Sequence, residues 1–585
     1  MSRGRARTRL AALVVGALTV SGCSGVPSST TPQVVRTLEV NTPSAAPPPP
    51  PPSADRRKIV SGFLLNNGGH DTAHLAAQQY LDETAAQAWK PSGVLILDAD
   101  APSLPARDGS VTVRGTELGE LNAGGTFSLP SGSQAVSQTF RFERTSLGWR
   151  ITNPPSVLLL RSEDFARDYR LMPLYFFNSA QKVLVPDLRY TSAEDQSLAD
   201  WLLAQLLAGP QNGSLSNLPD IFPSQIDQKT AKVTLGQPIA VQLPGFKSVP
   251  GPIRLLIAAE LAYTFQNAFP DKSLEIQDGT TTVPLPSGQT TFSTATLPTD
   301  VLPNATSPAQ SAYYIRDGEV FDAAGRRATD TVGGARGGVS SVAVSSTTGA
   351  VPLVATVATN RRTVFVDNST GSQPVKLPGA AMSRPEWTRD GSNEVWLGMG
   401  RGLIRVTNTG GVRAVPVSTL QGASPLAPKA VTAVRFSPDG ARVALVLAGV
   451  GSGTSSSAWL GNVVRSGTAV SVQGLHQFTP PGWYVRDLAW TDAVDLDVID
   501  NGPNDFEFSI FSVRCDGSNP AAITSANDDL PGPPRYITAG RDGTTWVSVG
   551  EGAVATLWRQ SRSTASWVAP FGRSSYVGSA PVYST

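Results

Sequence analysis

From about residue 310 to the C-terminus, short apolar-aromatic runs alternate with polar turn residues at a nearly regular interval. Thr432-Ala433-Val434-Arg435-Phe436 is followed by Ser437-Pro438-Asp439-Gly440, then by the β-branched run Ala441-Arg442-Val443-Ala444-Leu445-Val446. The same pattern recurs at Arg384-Pro385-Glu386-Trp387 with Asp390-Gly391, at Asp487-Leu488-Ala489-Trp490, and at Tyr536-Ile537-Thr538-Ala539 with Asp542-Gly543. Ser340-Ser341-Val342-Ala343-Val344 is a weaker copy upstream. The equivalent positions Val344, Trp387, Phe436, Trp490 and Ala539 are 43, 49, 54 and 49 residues apart. That period, with several strands in each unit, predicts β-propeller blades, because a lone four-stranded sheet cannot bury both faces and must stack on neighbours.

The chain ends in Ser579-Ala580-Pro581-Val582-Tyr583, the start of a further unit with no room for its remaining strands. Ala312-Tyr313-Tyr314-Ile315-Arg316 and Glu319-Val320-Phe321 can supply them. A blade shared by the two ends closes the ring and removes exposed edges. Six blades are therefore expected over 301–585, with five as the alternative.

Upstream the periodicity changes twice. Lys58 to Leu64 opens a helical stretch, and a second helix is predicted from a cap at Asp71 to Trp89. Alternating runs at Val94–Leu97, Val111–Arg114, Gln138–Glu143 and Gly148–Ile151 then read as half-buried antiparallel strands. Helices followed by a strand meander give an α+β domain over 57–160. It resembles a cone-like NTF2-type domain, with Gly148-Trp149-Arg150-Ile151 and Asn153-Pro154-Pro155 as its final strand and exit.

Residues 161–300 carry strands at Leu174–Phe177 and Lys182–Tyr190, then a helix from Leu198 to Leu207 stopped by Gly209-Pro210. Two more strands follow, then a helix from Pro252 with Ile253, Ile257, Leu261 and Phe265 on one face, and a last strand at Leu274–Gln277. This order resembles the GerMN domain of sporulation and germination proteins. The resemblance is carried by Tyr175-Phe176, Leu184-Val185-Pro186, Leu206-Leu207-Ala208-Gly209-Pro210 and Glu260-Leu261-Ala262-Tyr263-Thr264. It implies a binding module rather than a catalyst. Glu194 and Asp195 stand at the start of the first helix, where they complement its dipole.

The N-terminus is a targeting signal. Arg3, Arg5, Arg7 and Arg9 precede an apolar stretch from Leu10 to Val20, too short for an ordinary membrane span. Leu18-Thr19-Val20-Ser21-Gly22-Cys23 looks like a bacterial lipobox. Residues 1–22 are then a signal peptide, and the resemblance implies an S-diacylglycerol and N-acyl cysteine at Cys23. Several acyl chains hold a protein on a bilayer where one does not. Residues 23–56 form a tether with the unbroken run Pro47 to Pro52, which favours extended polyproline geometry and spans up to ~100 Å at about 3 Å per residue.

Charge narrows the function classes. The 47 basic and 46 acidic residues nearly cancel, and four of the basic ones lie in the signal, so no nucleic-acid footprint remains. Two cysteines, Cys23 and Cys515, exclude a disulfide framework and a cysteine zinc site. Cys515 reads as a small apolar filler. His70 and His74 share a helical spacing but lack the glutamate and third ligand of a metal site, so they read as helix-start residues. His476 stands alone. Asp390, Asp439 and Asp542 occupy one equivalent place before glycine in each repeat, as a turn requires. They sit one per blade and do not form the carboxylate pair of a glycosidase. No catalytic residue, cofactor or metal is expected.

Lipobox, proline-rich tether, NTF2-like domain, GerMN domain and propeller, in this order, resemble the actinobacterial LpqB lipoproteins. The resemblance implies a lipid-anchored protein on the extracytoplasmic face of the cell membrane. It also implies a partner, the extracytoplasmic domain of the sensor histidine kinase MtrB, in a two-component system for envelope homeostasis and division. Two other readings follow from the residues: a propeller glycan hydrolase, or a binder of a glycan or small envelope ligand in the channel or the cone.

Overall fold

Three α+β or β modules follow one another in the computed structural model, all within the unit Pro48–Thr585. The structure describes residues 49–585, apart from 70–73, 212–214, 216–217, 298–309, 329–337, 346–351, 369–370, 408, 420–425, 427–428, 450–453, 504–506, 525–529, 562–563 and 571–575. The signal peptide, Cys23 and most of the tether lie outside the described residues.

In the N-terminal module, Asp55 caps α1 (Arg56–Asn66) by accepting from the Lys58 N–H at 2.9 Å. The single helix expected up to Trp89 is instead two short ones, α2 (Leu75–Gln78) and α3 (Glu83–Ala88). The break has a physical cause. Leu81 bridges to Ile151, and Asp82 starts a new helix by accepting from the Ala85 N–H at 2.8 Å. The proposed cap Asp71 lies outside the described residues. Strands β1 (Val94–Ala99), β2 (Val111–Leu121), β3 (Phe127–Ser128) and β4 (Ala135–Phe140) follow, then the hairpin β5 (Phe142–Thr145) and β6 (Gly148–Ile151), then β7 (Leu158–Arg161). The main sheet runs β3-β2-β1-β7, with β4 also on β2. Helix α4 (Ser162–Asp168) packs on β1 and β7, so this module extends past residue 160. Its core joins Phe63, Trp89 and Phe140, with ring centroids 5.3 and 6.0 Å from Phe63.

The middle module pairs strand Leu174–Phe177 with Leu184–Asp187 and sets helices α5 (Asp195–Leu207) and α6 (Gly251–Ala268) beside a second sheet. That sheet contains the parallel pair Ile239–Gln242 and Leu274–Asp278. Ile257, Leu261 and Phe265 of α6 are fully buried, as the helical spacing predicts. The structure also explains the polar residues of the Glu260-to-Thr264 run. Strand Leu174–Phe177 has a partner strand on one edge. On the other edge, the Tyr175 N–H donates to Thr264 Oγ1 at 3.1 Å and the Phe177 N–H to Glu260 Oε1 at 3.0 Å. Two helix side chains four residues apart thus replace a strand.

The C-terminal region forms six sheets in a ring. Their inner strands are Val339–Val344, Glu386–Trp387, Ala430–Phe436, Val485–Trp490, Pro534–Ala539 and Ser579–Tyr583, heading blades I to VI in that order. Each inner strand contacts the next, and Ser579–Tyr583 contacts Val339–Val344, which completes the circle. Blade VI is shared as expected: the C-terminal strand pairs antiparallel with Ala312–Arg316, which pairs with Glu319–Asp322. Blade III carries an added parallel edge strand, Val417–Thr419.

The repeat positions end the inner strands, and the three aromatic ones staple their blade to a neighbour. Trp387 Nε1 donates to the Ala343 carbonyl at 3.1 Å, and Trp490 Nε1 to the Arg435 carbonyl at 3.2 Å. In both cases the acceptor is the residue just before the previous blade's repeat position. Phe436 meets Trp396 of blade II edge-on at 5.0 Å, and Trp546 of blade V donates to Tyr583 Oη at 3.1 Å. Buried indole N–H groups need such partners.

Two outcomes follow. Removing residues 579–585 deprives blades I and V of their common neighbour, and thermal unfolding of the purified chain is expected to show a loss above about 4 kcal/mol; an unchanged transition would contradict closure by this strand. Burial holds the Glu260 carboxyl well above its ordinary 4.5, so above that pH the folded state binds more protons than the unfolded one and stability falls as pH rises. Glu260→Gln is expected to flatten the fall in melting temperature between about pH 5 and 8, whereas Glu260→Ala, which orphans the Phe177 N–H, costs about 1–3 kcal/mol.

Candidate functional site

Where a propeller offers a channel, this one holds a knot of buried ions. The inner strands bring Arg384 and Glu386 from blade II, Arg435 from blade III and Asp487 from blade IV to the axis. Asp487 accepts from Arg384 through Oδ2, from Arg435 through Oδ1 at 2.9 Å, and from the Ile537 N–H of blade V at 3.0 Å. Arg384 also donates to the Pro581 carbonyl of blade VI at 3.0 Å and stands 4.8 Å from the Tyr536 ring centroid. Burial, with Arg435 beside it, pushes the Arg384 guanidinium down to about 10, still charged at neutral pH. Burial raises the Glu386 carboxyl against the pull of Arg435 and Arg389, which sit 3.9 and 4.0 Å away. The remaining void is about 30 Å³, room for ordered water but far below the volume of a small-molecule site.

The repeated turn aspartates each accept a hydrogen bond within their own turn. Asp390 accepts from the Ser392 N–H at 3.0 Å, Asp439 from Ala441 at 2.9 Å and Asp542 from Thr544 at 2.9 Å. The following glycines adopt φ of 77°, 68° and 75°, a region that disfavours a side chain. Asp390 is also ion-paired with Arg465 of blade III, and Asp439 too has a further role. It is buried and ion-paired with Arg442 at 2.6 Å, and Arg442 also donates to the Ala493 carbonyl at 2.5 Å and to Cys515 Sγ at 3.4 Å. Burial holds the Cys515 thiol up at about 12, so it stays protonated and fills space as expected.

A much larger space lies elsewhere, between the N-terminal module and blade IV. It measures about 640 Å³, within the range of small-molecule sites. Ile96, Leu118, Phe127, Phe165 and Leu171 supply apolar wall from one side, and Pro480, Pro481 and the 514–520 turn close the other. Tyr190 spans the boundary. Its hydroxyl hydrogen-bonds Ser518 Oγ and accepts from Arg514 Nη1 at 3.4 Å, and its ring lies 6.4 Å from Phe127 and 5.4 Å from Phe165. Gly517 has φ 90°, and a side chain there would strike Leu129 of the N-terminal module. The sequence reading passed over Tyr190, Arg514 and Ser518. The motif Arg514-Cys515-Asp516-Gly517 announces a turn, but nothing in it points to a residue more than 300 positions away.

His74 precedes α2 with φ 52° and packs 5.9 Å from the Trp89 ring; His70 lies outside the described residues. His476 is half-buried in blade III with Nδ1 3.1 Å from the Gly474 carbonyl. Among the described residues no group of three His, Cys, Asp or Glu side chains is placed to hold a metal ion. No described helix is long and apolar enough to cross a membrane. Glu194 begins α5 as half of a capping box with Ser197.

Two family models match the chain. Residues 49–166 match "Lipoprotein LpqB, N-terminal domain" and residues 318–584 match "Lipoprotein LpqB beta-propeller domain". A Lipoprotein LpqB of Mycobacterium ulcerans is 27% identical over 98% of both chains. The chain belongs to the LpqB lipoprotein family. The LpqB of Mycolicibacterium smegmatis is 26% identical over 96% of this chain and 97% of its own, and that of Mycobacterium tuberculosis 26% over 87% and 89%. Membership implies a membrane-anchored lipoprotein. Among solved structures, puromycin hydrolase aligns at TM-score 0.30 and 16% identity over 40% of this chain and 38% of its own. A putative TolB from Agrobacterium tumefaciens aligns at 0.30 and 12% over 47% and 92%. Likeness that low assigns no chemistry to an LpqB chain.

The axial knot is testable. Asp487→Ala leaves two arginines buried together, and a loss of about 3–5 kcal/mol is expected in chemical denaturation; a loss below about 1 kcal/mol would show the axis to be hydrated and the pairs dispensable.

Proposed function

We propose that this chain is a lipid-anchored protein of the extracytoplasmic membrane face that binds the sensor domain of the histidine kinase MtrB and modulates its output. The observation that carries the reading is the end-to-end likeness to LpqB lipoproteins, taken with the anchor expected at Cys23. The structure contributes physical support. A filled axis and turn-bound aspartates leave the propeller's surface, rather than a catalytic channel, as what it offers. Tyr190 joins the leading modules to blade IV through Ser518, and Ala441 of blade III packs in the middle module's core, so the three modules pack as one unit.

Such a body acts by differential contact. A partner that touches one kinase conformation better than another shifts the population toward it. An interface of about 800 Å² on each side is sufficient. Confinement to one membrane raises the effective concentration of the two proteins for each other.

Cys23→Ala is expected to move the protein from the membrane fraction to the medium and to return kinase output to the level of a strain lacking the gene, measured by regulator phosphorylation. Full regulation by the released form would remove the tethering argument. Photocrosslinking walked across all three modules in living cells identifies the contact face, and absence of any kinase adduct would overturn the partner.

A further inference from the structure

The cavity between the N-terminal module and blade IV has no part in the reading above, yet it has the form of a built site. Its walls come from two modules, so no single module could make it. Most of its surface is apolar, from β1, β2, β3 and α4 on one side and prolines on the other. Only two lining residues are charged, Glu117 from β2 and Arg514 from blade IV.

These two differ. Burial, with Glu120 nearby, raises the Glu117 carboxyl. Arg514 remains charged. Asp495 and Asp516 lie near enough to favour its cation, but no carboxylate reaches ion-pair distance of it among the described residues, where Arg384, Arg405, Arg435 and Arg442 of the same propeller are all paired. Its guanidinium donates a long 3.4 Å bond to Tyr190 Oη. Beside it Ser518 and Tyr190 form a hydroxyl pair able to donate outward. An apolar chamber of this volume with one unneutralised guanidinium at its rim is complementary to a molecule with a long apolar body and one anionic head. A peptide would fit less well, since its backbone groups would need partners that these walls do not supply.

We propose that this cavity binds a single-chain amphiphile, its acyl body lying between Phe127, Phe165 and Leu171 and its carboxylate or phosphate head on Arg514. Because the ligand touches both modules, its binding stabilises their docking. The proposal does not depend on the kinase, and none of its readouts involves signalling.

The test uses the full chain in phosphatidylcholine nanodiscs and a palmitic acid carrying a chain-borne diazirine. Photolabelling mapped by mass spectrometry is expected on β2, α4 and the 514–520 turn, and palmitate is expected to displace the probe. Methyl palmitate, which lacks the anion, is expected to compete about tenfold or more less well, the loss of one charge-assisted hydrogen bond. Hexadecyl phosphate serves as the second arm, and whichever competitor binds tighter names the head. Arg514→Gln should erase the difference between acid and ester. Ala166→Trp, at an exposed position on the cavity wall, should lower the affinity of both at least about tenfold by filling the space, with melting temperature unchanged. Acid and ester binding equally to the wild type, labels outside the cavity, or undiminished binding by a folded Ala166→Trp chain would each overturn the proposal.

Discussion

One carboxylate holds the wheel together. Asp487 takes hydrogen bonds from blades II, III and V while standing on blade IV, and Arg384 carries the same network on to blade VI. Ions this deep lose several kcal/mol of hydration each, and recover it only when every donor and acceptor is met at good distance. That condition couples five blades to one geometry. A blade that tilts breaks bonds belonging to its neighbours, so the ring behaves as one body rather than as six stacked sheets. The same packing fills the axis and leaves it no room for a ligand.

The other modules are attached by the same kind of interaction. Arg189 is fully buried, pairs with Asp187 at 2.6 Å, and reaches the Gly124 carbonyl of the N-terminal module and the Gly209 carbonyl after α5. Arg442 does the same between blades III and IV, pairing with Asp439 and reaching the Ala493 carbonyl, while its neighbour Ala441 packs in the middle module's core. Tyr190 completes the set at blade IV. Buried arginines suit these junctions because one planar guanidinium satisfies several carbonyls from different segments at once. Between the junctions a space of about 640 Å³ remains, far larger than the void at the axis.

Much of the propeller could be read from the chain because its signals are local. Trp387, Phe436 and Trp490 recur where an inner strand ends, and Asp-Gly recurs where a turn needs positive φ. The unmatched strand at Ser579–Tyr583 revealed the shared blade because an unpaired edge must be covered. The helix predicted up to Trp89 failed at Leu81, whose bridge to Ile151 is a contact between positions 70 apart. Glu260 and Thr264 were visible as part of a familiar run, but their task of capping a strand edge was not.

Alternation, turn chemistry and repeat spacing are properties of a few consecutive residues, so the propeller, its shared closing blade and the family were written along the chain. Which arginine meets which carboxylate was not. Arg384 and Asp487 are 103 positions apart, and Tyr190 and Ser518 are 328 apart; nothing in the neighbourhood of either member marks the other. Only packing in three dimensions selects those pairs, because the free energy of a buried charge depends on everything that surrounds it and hardly at all on its neighbours in sequence.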